Sequence, residues 1–152
     1  MPRRPVRDVM QTDVVTLRPD MSAREAARVL AAHRIGGAPV VDEARRAVGV
    51  LSQSDLARLE ADRPSTAAAG AFFSDVDDYR DLAALPADES LVRVDALMGR
   101  KLLAVSPDAS LQEAARRMRS ERVHRLLVLE DGVLRGVVSA LDLLVAVEEP
   151  RA

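Results

Sequence analysis

Apolar and polar positions follow one arrangement that occurs twice along the chain. In each copy, small and aliphatic residues recur at i, i+3 and i+4 over a helical stretch, and two apolar runs of strand length follow it. A short strand precedes each helix and a helix closes each copy, so the pattern predicts the order β-α-β-β-α. The predicted strands are Val14–Leu17, Ala38–Val41 and Ala47–Leu51 in the first copy, and Leu102–Val105, Leu126–Leu129 and Leu134–Val138 in the second.

Landmark residues recur at a nearly constant spacing, which indicates an internal repeat. Ser22-x-x-Glu25 reappears 88 residues later at Ser110, and in both places the spacing predicts a helix that begins with a capping box. Gly49 reappears at Gly136, an offset of 87. One residue is therefore missing from the second copy, and we expect the deletion in the hairpin turn, where it is best tolerated.

The repeat predicts the domain organisation. We expect a first unit at residues 6–60, a connector at 61–93 and a second unit at 94–148. A unit of about 50 residues buries little surface alone. The two copies are therefore expected to pack sheet against sheet and to share a core.

The connector has a composition of its own. Ala67–Phe73 is predicted to form a short helix that docks Phe72 and Phe73 on the body of the protein. Ser74–Glu89 follows with six acidic residues against one basic residue. A solvated connector is the expectation for this stretch, with an acidic docking surface as the alternative.

Composition narrows the classes of function. Apolar residues make up 48% of the 152-residue chain and aromatic residues only 2%, which favours an aliphatic core and disfavours a platform that stacks nucleic-acid bases. The net charge of −2 gives no general attraction to nucleic acid or anionic membrane. The absence of cysteine excludes disulfides, thiolate catalysis and Cys-based metal sites. No apolar run suits a signal peptide or a membrane span, so a soluble cytoplasmic protein is expected.

The chemistry is expected where the last strand of each copy meets its closing helix. Ser52-x-x-Asp55 and Ser139-x-x-Asp142 stand at these two junctions. The first N–H groups of a helix have no partner within the helix and can hold a phosphate, while an ionised aspartate accepts hydrogen bonds from a ribose diol. The alternative is that both pairs only cap their helices, because Ser-x-x-Asp is itself close to a capping box.

Taken in order, these residues resemble a CBS domain, and the two copies resemble a CBS pair, or Bateman module. The resemblance rests on Val6-x-Asp-Val-Met10, Pro19-Asp20, the capped helix, Pro39-Val-Val-Asp42 and Gly49-Val-Leu-Ser-x-x-Asp55. It implies an α/β (α+β) fold whose repeats associate through their sheets with pseudo-two-fold symmetry. It also implies two clefts for adenosine ligands, which are AMP, ADP, ATP, S-adenosylmethionine or sometimes a dinucleotide. The stand-alone class that this chain resembles usually forms dimers.

The resemblance also assigns expected roles to polar residues. Ser52 and Ser139 would contact phosphate, and Asp55 and Asp142 would contact ribose. His124-Arg125 resembles the sequence of members that bind phosphorylated ligands, although both residues could instead end a helix favourably against its dipole. Gly36 and Gly37 match them in the first repeat, so the two clefts are not expected to be equivalent. Arg100 stands where relatives often place a basic residue near phosphates.

An adenine ring needs an apolar slot with backbone polar groups at its edge. Each candidate for this slot could equally belong to the core. The candidates are Val14, Ile35, Ala38 and Pro39 in the first repeat, and Leu102, Val123, Leu126 and Val137 in the second.

The functional prediction is a regulatory module that senses AMP, ADP or ATP and changes the arrangement of its repeats or of a dimer. Ser139, His124 and Arg125 favour phosphate-bearing ligands over S-adenosylmethionine. No catalytic residue, required cofactor or metal site is predicted, since no enzyme motif occurs. The expected partners are a second copy in a homodimer and an unidentified protein target, without nucleic acid or membrane. A ligand-free structural dimerisation module is the main alternative, and a basic stripe at Arg116, Arg117, Arg119 and Arg122 is the only feature that favours nucleic acid.

Overall fold

The structure is a computed structural model that describes residues 4–61, 71–74 and 92–148. These residues form a mixed α+β fold with two small sheets. The chain divides into two compact units. We call Val15–Leu102 the first-repeat unit, and Met1–Val14 with Leu103–Ala152 the second-repeat unit. The acidic connector predicted at Ser74–Glu89 lies outside the described residues from residue 75 onward.

The first-repeat unit contains a two-stranded antiparallel sheet, β1 against β2, with helices before and after it. Its core is aliphatic and includes Leu30, Leu51 and Leu56. The described elements are α1 (Ala23–His33), β1 (Gly37–Val41), β2 (Ala47–Ser52), α2 (Gln53–Ala61), α3 (Ala71–Ser74) and α4 (Val94–Leu97).

The second-repeat unit contains a three-stranded sheet in the order β3-β4-β5. Strand β3 is parallel to β4, and β4 is antiparallel to β5. The buried residues Leu126, Leu127 and Val128 run along the central strand. The described elements are a 3-10 helix (Val6–Asp8), β3 (Ala104–Val105), α5 (Leu111–Glu121), β4 (Arg125–Glu130), β5 (Val133–Ser139) and α6 (Ala140–Glu148).

The first predicted strand of each repeat is shorter than expected. In place of a strand at Val14–Leu17 there is one parallel bridge at Leu17, whose N–H donates to the Pro39 carbonyl at 2.9 Å. The prediction of a regular strand is wrong here, because the chain passes from one unit to the other between Val14 and Val15 and so cannot follow one sheet edge. Its counterpart in the second repeat keeps two residues, Ala104–Val105.

The predicted helix starts are confirmed in both repeats. The Oγ of Ser22 accepts from the Glu25 N–H at 3.1 Å, and the Oγ of Ser110 accepts from the Glu113 N–H at 3.0 Å. Both helices end at a left-handed arginine, Arg34 or Arg122. This repeated local geometry holds the residues that follow each helix in the same relation to the next strand.

The deletion between the repeats lies in the hairpin turn, as predicted. In the first repeat, the Asp42 N–H donates to the Arg46 carbonyl across a three-residue turn. In the second repeat, β4 and β5 are joined by two residues with positive φ, Asp131 (53°) and Gly132 (82°). A two-residue turn of this kind matches the twist of paired strands, so one residue can be lost without disturbing them.

The leading segment of each repeat (residues 5–14 in the first repeat and 94–102 in the second) belongs to the compact unit that contains the helices and strands of the other repeat. In the second-repeat unit, Gln11 forms both backbone hydrogen bonds with Val137, at 2.8 and 3.0 Å. In the first-repeat unit, Gly99 forms the same pair with Val50, at 2.8 and 2.9 Å. The compact units therefore divide the chain differently from the sequence repeats.

Two glycines make these backbone pairs possible. A Cβ on Gly136 would lie 2.5 Å from the Gln11 carbonyl oxygen, and a Cβ on Gly49 would lie 2.6 Å from the Met98 sulfur and 2.8 Å from the Gly99 carbonyl oxygen. All three distances are too short for a real Cβ atom. The glycine that opens each repeated Gly-Val motif is thus a site of close backbone approach.

The connector helix is confirmed in part. Helix α3 spans Ala71–Ser74, and the predicted residues 67–70 lie outside the described ones. Phe72 and Phe73 are buried and stack edge to face, with ring centroids 5.1 Å apart. The prediction that both rings dock on the body of the protein is therefore confirmed.

Candidate functional site

In the second-repeat unit, strand β5 passes directly into helix α6 at Ser139 and Ala140. The Ser139 N–H donates to Asp142 Oδ2 at 2.8 Å, and the Asp142 N–H donates to Ser139 Oγ at 3.1 Å. This reciprocal pair is a capping box, so Ser139 and Asp142 do cap helix α6. Both side chains remain half-buried, and capping uses only part of their hydrogen-bonding capacity.

In the first-repeat unit, the matching junction is closed on itself. Ser52 and Asp55 form the same capping box, at 2.8 and 3.3 Å, and the Ser52 hydroxyl also donates to Asp55 Oδ2 at 3.1 Å. The two residues are only 4% and 3% exposed. At the second junction, by contrast, no described residue accepts the Ser139 hydroxyl proton.

Strand pairing brings the predicted phosphate contacts to the second junction. Arg125 lies directly opposite Ser139 in the pair of β4 with β5, so their side chains share one face of the sheet. The Ala140 N–H donates to the His124 carbonyl at 2.7 Å, which holds the start of β4 against the start of α6. His124 is exposed and Arg125 half-buried.

The first junction repeats this backbone arrangement without the side chains. Gly37 lies opposite Ser52, and the Gln53 N–H donates to the Gly36 carbonyl at 2.8 Å. A Cβ on Gly37 would lie 2.8 Å from the Leu51 carbonyl oxygen, so no side chain fits there. The two junctions are thus alike in backbone and different in side chains, as the sequence predicted.

The apolar candidates divide by burial. Ala38, Pro39, Val123 and Leu126 are buried, whereas Val14, Ile35, Leu102 and Val137 are half-buried. The half-buried side chains are the ones that still have surface to offer a ligand. Val14 is part of the first repeat but belongs to the second-repeat unit. Leu102 is part of the second repeat but belongs to the first-repeat unit.

Arg100 contacts the leading segment of its own repeat. Its guanidinium donates to the Asp95 carbonyl at 3.0 Å. Asp95 also pairs with Arg93 through two bonds of 3.2 and 2.8 Å, and the hydrogen bond from Arg93 lowers the pKa of the Asp95 carboxyl. Arg93 is exposed and Asp95 half-buried, and the pair contains no residue of either junction.

Sequence reasoning missed Gln11. Its side-chain Nε2 donates to Asp142 Oδ1 at 3.0 Å, although the two residues lie 131 positions apart. The residue that matches Gln11 in the other unit is Gly99, which has no side chain. The repeat offset would have aligned Gln11 with Gly99, but nothing in the pattern indicated that a leading segment reaches the other repeat's junction.

Two general features of the described part of the chain bear on function. None of its helices is both long and apolar enough to cross a membrane. Within the same residues, no group of three or more His, Cys, Asp or Glu side chains is arranged to hold a metal ion.

A family model described as the CBS domain matches the chain twice, at residues 6–62 and 92–149. Among curated proteins, the chain is 25% identical to an uncharacterized protein of Methanocaldococcus jannaschii, over 91% of this chain and 41% of that protein. It is 26% identical to inosine-5′-monophosphate dehydrogenase of Staphylococcus aureus, over 90% of this chain and 23% of that enzyme. The chain therefore spans less than half the length of these relatives.

Solved structures have the same fold. CBSX2 in complex with AMP matches with a TM-score of 0.69 and 24% identity, over 95% of this chain and 96% of that one. A CBS domain pair in complex with 5′-methylthioadenosine and S-adenosyl-L-methionine matches with a TM-score of 0.67 and 20% identity, over 97% of this chain and 100% of that one. Both likenesses agree with the mixed α+β architecture described above.

Proposed function

The chain belongs to the CBS-domain family, and from this premise we propose that it is a regulatory module that binds an adenine nucleotide, AMP, ADP or ATP. The observation that carries the proposal is the open junction at Ser139 and Asp142. There, a hydroxyl proton and a half-buried carboxylate face the same strand-to-helix turn.

Phosphate binding would use Ser139, Arg125 and His124. The Ser139 Oγ accepts from the backbone N–H of Asp142, so its own hydroxyl proton can be donated to a phosphate oxygen. Arg125, opposite Ser139, can bind phosphate oxygens in a bidentate manner. This set of donors favours phosphorylated ligands over S-adenosylmethionine, which has no phosphate to engage them.

Ribose binding would use Asp142. An ionised carboxylate has about four acceptor sites, and the described hydrogen bonds to Asp142 use one on each oxygen. The half-buried Val14 and Val137, in the same unit, are the proposed apolar contacts of the adenine ring. Structures of similar fold that contain AMP or 5′-methylthioadenosine support the adenosine class.

The two junctions would not contribute equally. Asp55 is almost completely buried and its Oδ2 accepts twice from Ser52, and Gly37 leaves no side chain opposite Ser52. We therefore propose one nucleotide per chain, bound at the second junction. The remaining predicted ligand contacts stay predictions: Ile35, Ala38, Pro39, Arg100, Leu102, Val123 and Leu126.

Regulation would follow from linkage. A ligand changes the activity of a partner protein only by its difference in affinity between two arrangements of the module. We propose an unidentified protein target, no catalysis by this chain and a cytoplasmic location.

The test is isothermal titration of the purified protein with AMP, ADP, ATP and S-adenosylmethionine. We expect micromolar binding of at least one nucleotide at one site per chain. Asp142→Ala should abolish it, while Asp55→Ala, the matched change at the closed junction, should leave the affinity of the folded protein intact. Equal loss in both variants, or no binding of any nucleotide by the wild type, would refute the proposal.

A ligand-free dimerisation module is the second candidate function, and helix α6 favours self-association in either case. Four aliphatic side chains on this helix are largely exposed: Leu141 (69%), Leu144 (60%), Val145 (45%) and Val147 (80%). The residues at the matching sequence positions of the first repeat are Ser54, Ala57, Arg58 and Glu60, so its sequence does not repeat this set of four aliphatic residues. We propose that a second copy of the chain covers it in a homodimer.

A further inference from the structure

An N-terminal arm, which we define as Pro5–Gln11, lies on the second-repeat unit. At one end, the Val6 N–H donates to the Ala109 carbonyl at 2.8 Å. At the other end, Gln11 forms its backbone pair with Val137, two residues before Ser139. The arm is thus anchored beside the junction at which the nucleotide is proposed to bind.

The Gln11 side chain acts on the carboxylate of that junction. Gln11 Nε2 donates to Asp142 Oδ1 at 3.0 Å, and the Ser139 N–H donates to Asp142 Oδ2 at 2.8 Å. One donor on each oxygen holds the carboxylate group against rotation. A second acceptor site then remains on each oxygen, and two neighbouring acceptors suit the two hydroxyls of a cis-diol.

The other unit lacks this arrangement. Gly99 has the same backbone pairing to Val50 that Gln11 has to Val137, but it has no side-chain amide. There, the Ser52 N–H and Ser52 Oγ both donate to the same oxygen, Oδ2 of Asp55. In the first-repeat unit, the described residue at the matching position, Gly99, therefore has no side chain with which to orient Asp55.

We propose that Gln11 is a positioning residue that gives the second junction its selectivity for a cis-diol and couples ligand binding to the docking of the N-terminal arm. This inference rests on the proposed nucleotide site. Since the docked arm favours the binding-competent carboxylate, linkage requires that a bound ligand stabilises the docked arm by the same factor.

Selectivity is tested by titrating AMP and 2′-deoxy-AMP into the wild type and into Gln11→Ala. Loss of a hydrogen bond to a charged group predicts that the wild type prefers AMP over 2′-deoxy-AMP by about tenfold or more. In Gln11→Ala this ratio should fall to about threefold or less. Gln11→Glu, which keeps the size of the side chain but replaces the donor by an acceptor, should lose the preference too. Gln112→Ala, a matched change at an exposed glutamine of α5, should keep it.

Coupling is tested by amide hydrogen exchange of residues 5–11 with and without AMP. We expect AMP to slow exchange in the arm of the wild type and not in Gln11→Ala. If the variant binds AMP with an unchanged ratio and an unchanged response of its arm, the inference is overturned while the proposed nucleotide site stands. If the wild type binds none of AMP, ADP and ATP, the proposed function fails and the inference fails with it. If it binds ADP or ATP but not AMP, that nucleotide and its 2′-deoxy form replace the AMP pair in both tests.

Discussion

Gly136→Ala is the sharpest test of how the N-terminal arm is held. The new Cβ would lie 2.5 Å from the Gln11 carbonyl oxygen, and 3.1 and 3.2 Å from Sδ and Cγ of Met10, so its three nearest neighbours all belong to the arm. A backbone oxygen cannot turn aside as a side chain can. We therefore expect the clash to be relieved by separation of Gln11 from Val137.

The magnitude follows from what this separation breaks. The two backbone hydrogen bonds between Gln11 and Val137 contribute about 0.5–1.5 kcal/mol each. Replacement of Gly by Ala recovers about 0.4–1 kcal/mol through the lower entropy of the unfolded chain. The net expectation is a loss of about 1–2 kcal/mol in the free energy of unfolding, or roughly 2–8 °C in Tm for a chain of this size.

The assay combines chemical denaturation with amide hydrogen exchange, because the site of the change matters as much as its size. Exchange should accelerate at residues 6–11 in Gly136→Ala. Gly49→Ala is the matched control, since its Cβ would meet Met98 and Gly99, and it should accelerate exchange at residues 94–99 instead. A neutral Gly136→Ala, or one that loosens both leading segments equally, would refute this account.

Three further outcomes are expected. Ser52→Ala should lower the free energy of unfolding by about 1–2 kcal/mol in chemical denaturation, and Ser139→Ala should lower it less, because only the Ser52 hydroxyl is buried and bonded to its own aspartate. In calorimetry, only Ser139→Ala should weaken nucleotide binding. Leu144→Ser should raise the dimer dissociation constant at least about tenfold in sedimentation equilibrium, because the leucine is 60% exposed on the proposed interface; an unchanged constant would exclude that face. The Arg93 hydrogen bond lowers the pKa of the Asp95 carboxyl, so the contribution of this pair to stability is present above the carboxyl's unfolded-state pKa and is lost as pH falls through the lower, folded-state pKa. Because Arg93 is exposed and Asp95 only half-buried, solvent screens the pair and the contribution is small, so Asp95→Asn should leave Tm at pH 7 unchanged within error in thermal denaturation.

Local features of the fold were accessible from the sequence because they depend on residues close together in the chain. The Ser22 and Ser110 caps are decided within one helical turn, and the structure has both. The same reasoning located the deletion in the hairpin turn and the docked aromatic pair of the connector. The resemblance to CBS pairs, built from these local features in register, identified the family.

The candidate site was accessible only in part. Pairing of the two apolar runs was predictable, but Arg125 lies opposite Ser139 only because the register of the pair shifts by one residue between Val128 and Leu129, which the sequence pattern did not indicate. The sequence could not predict which Ser-x-x-Asp pair is buried and bonded to itself and which keeps accessible polar atoms, because both copies have the same two residues. The burial of Asp55 and the partial exposure of Asp142 depend on what packs around each junction.

By itself, the sequence determined the repeat, the order of its elements, the helix caps and the family, since each is encoded by local spacing or by periodicity. Only the tertiary structure decided that the leading segment of each repeat packs with the body of the other, and that Gln11 thereby reaches Asp142 from 131 residues away. Contacts at such separations depend on close backbone approaches, and a glycine at position 136 permits this one without stating which segment will lie against it.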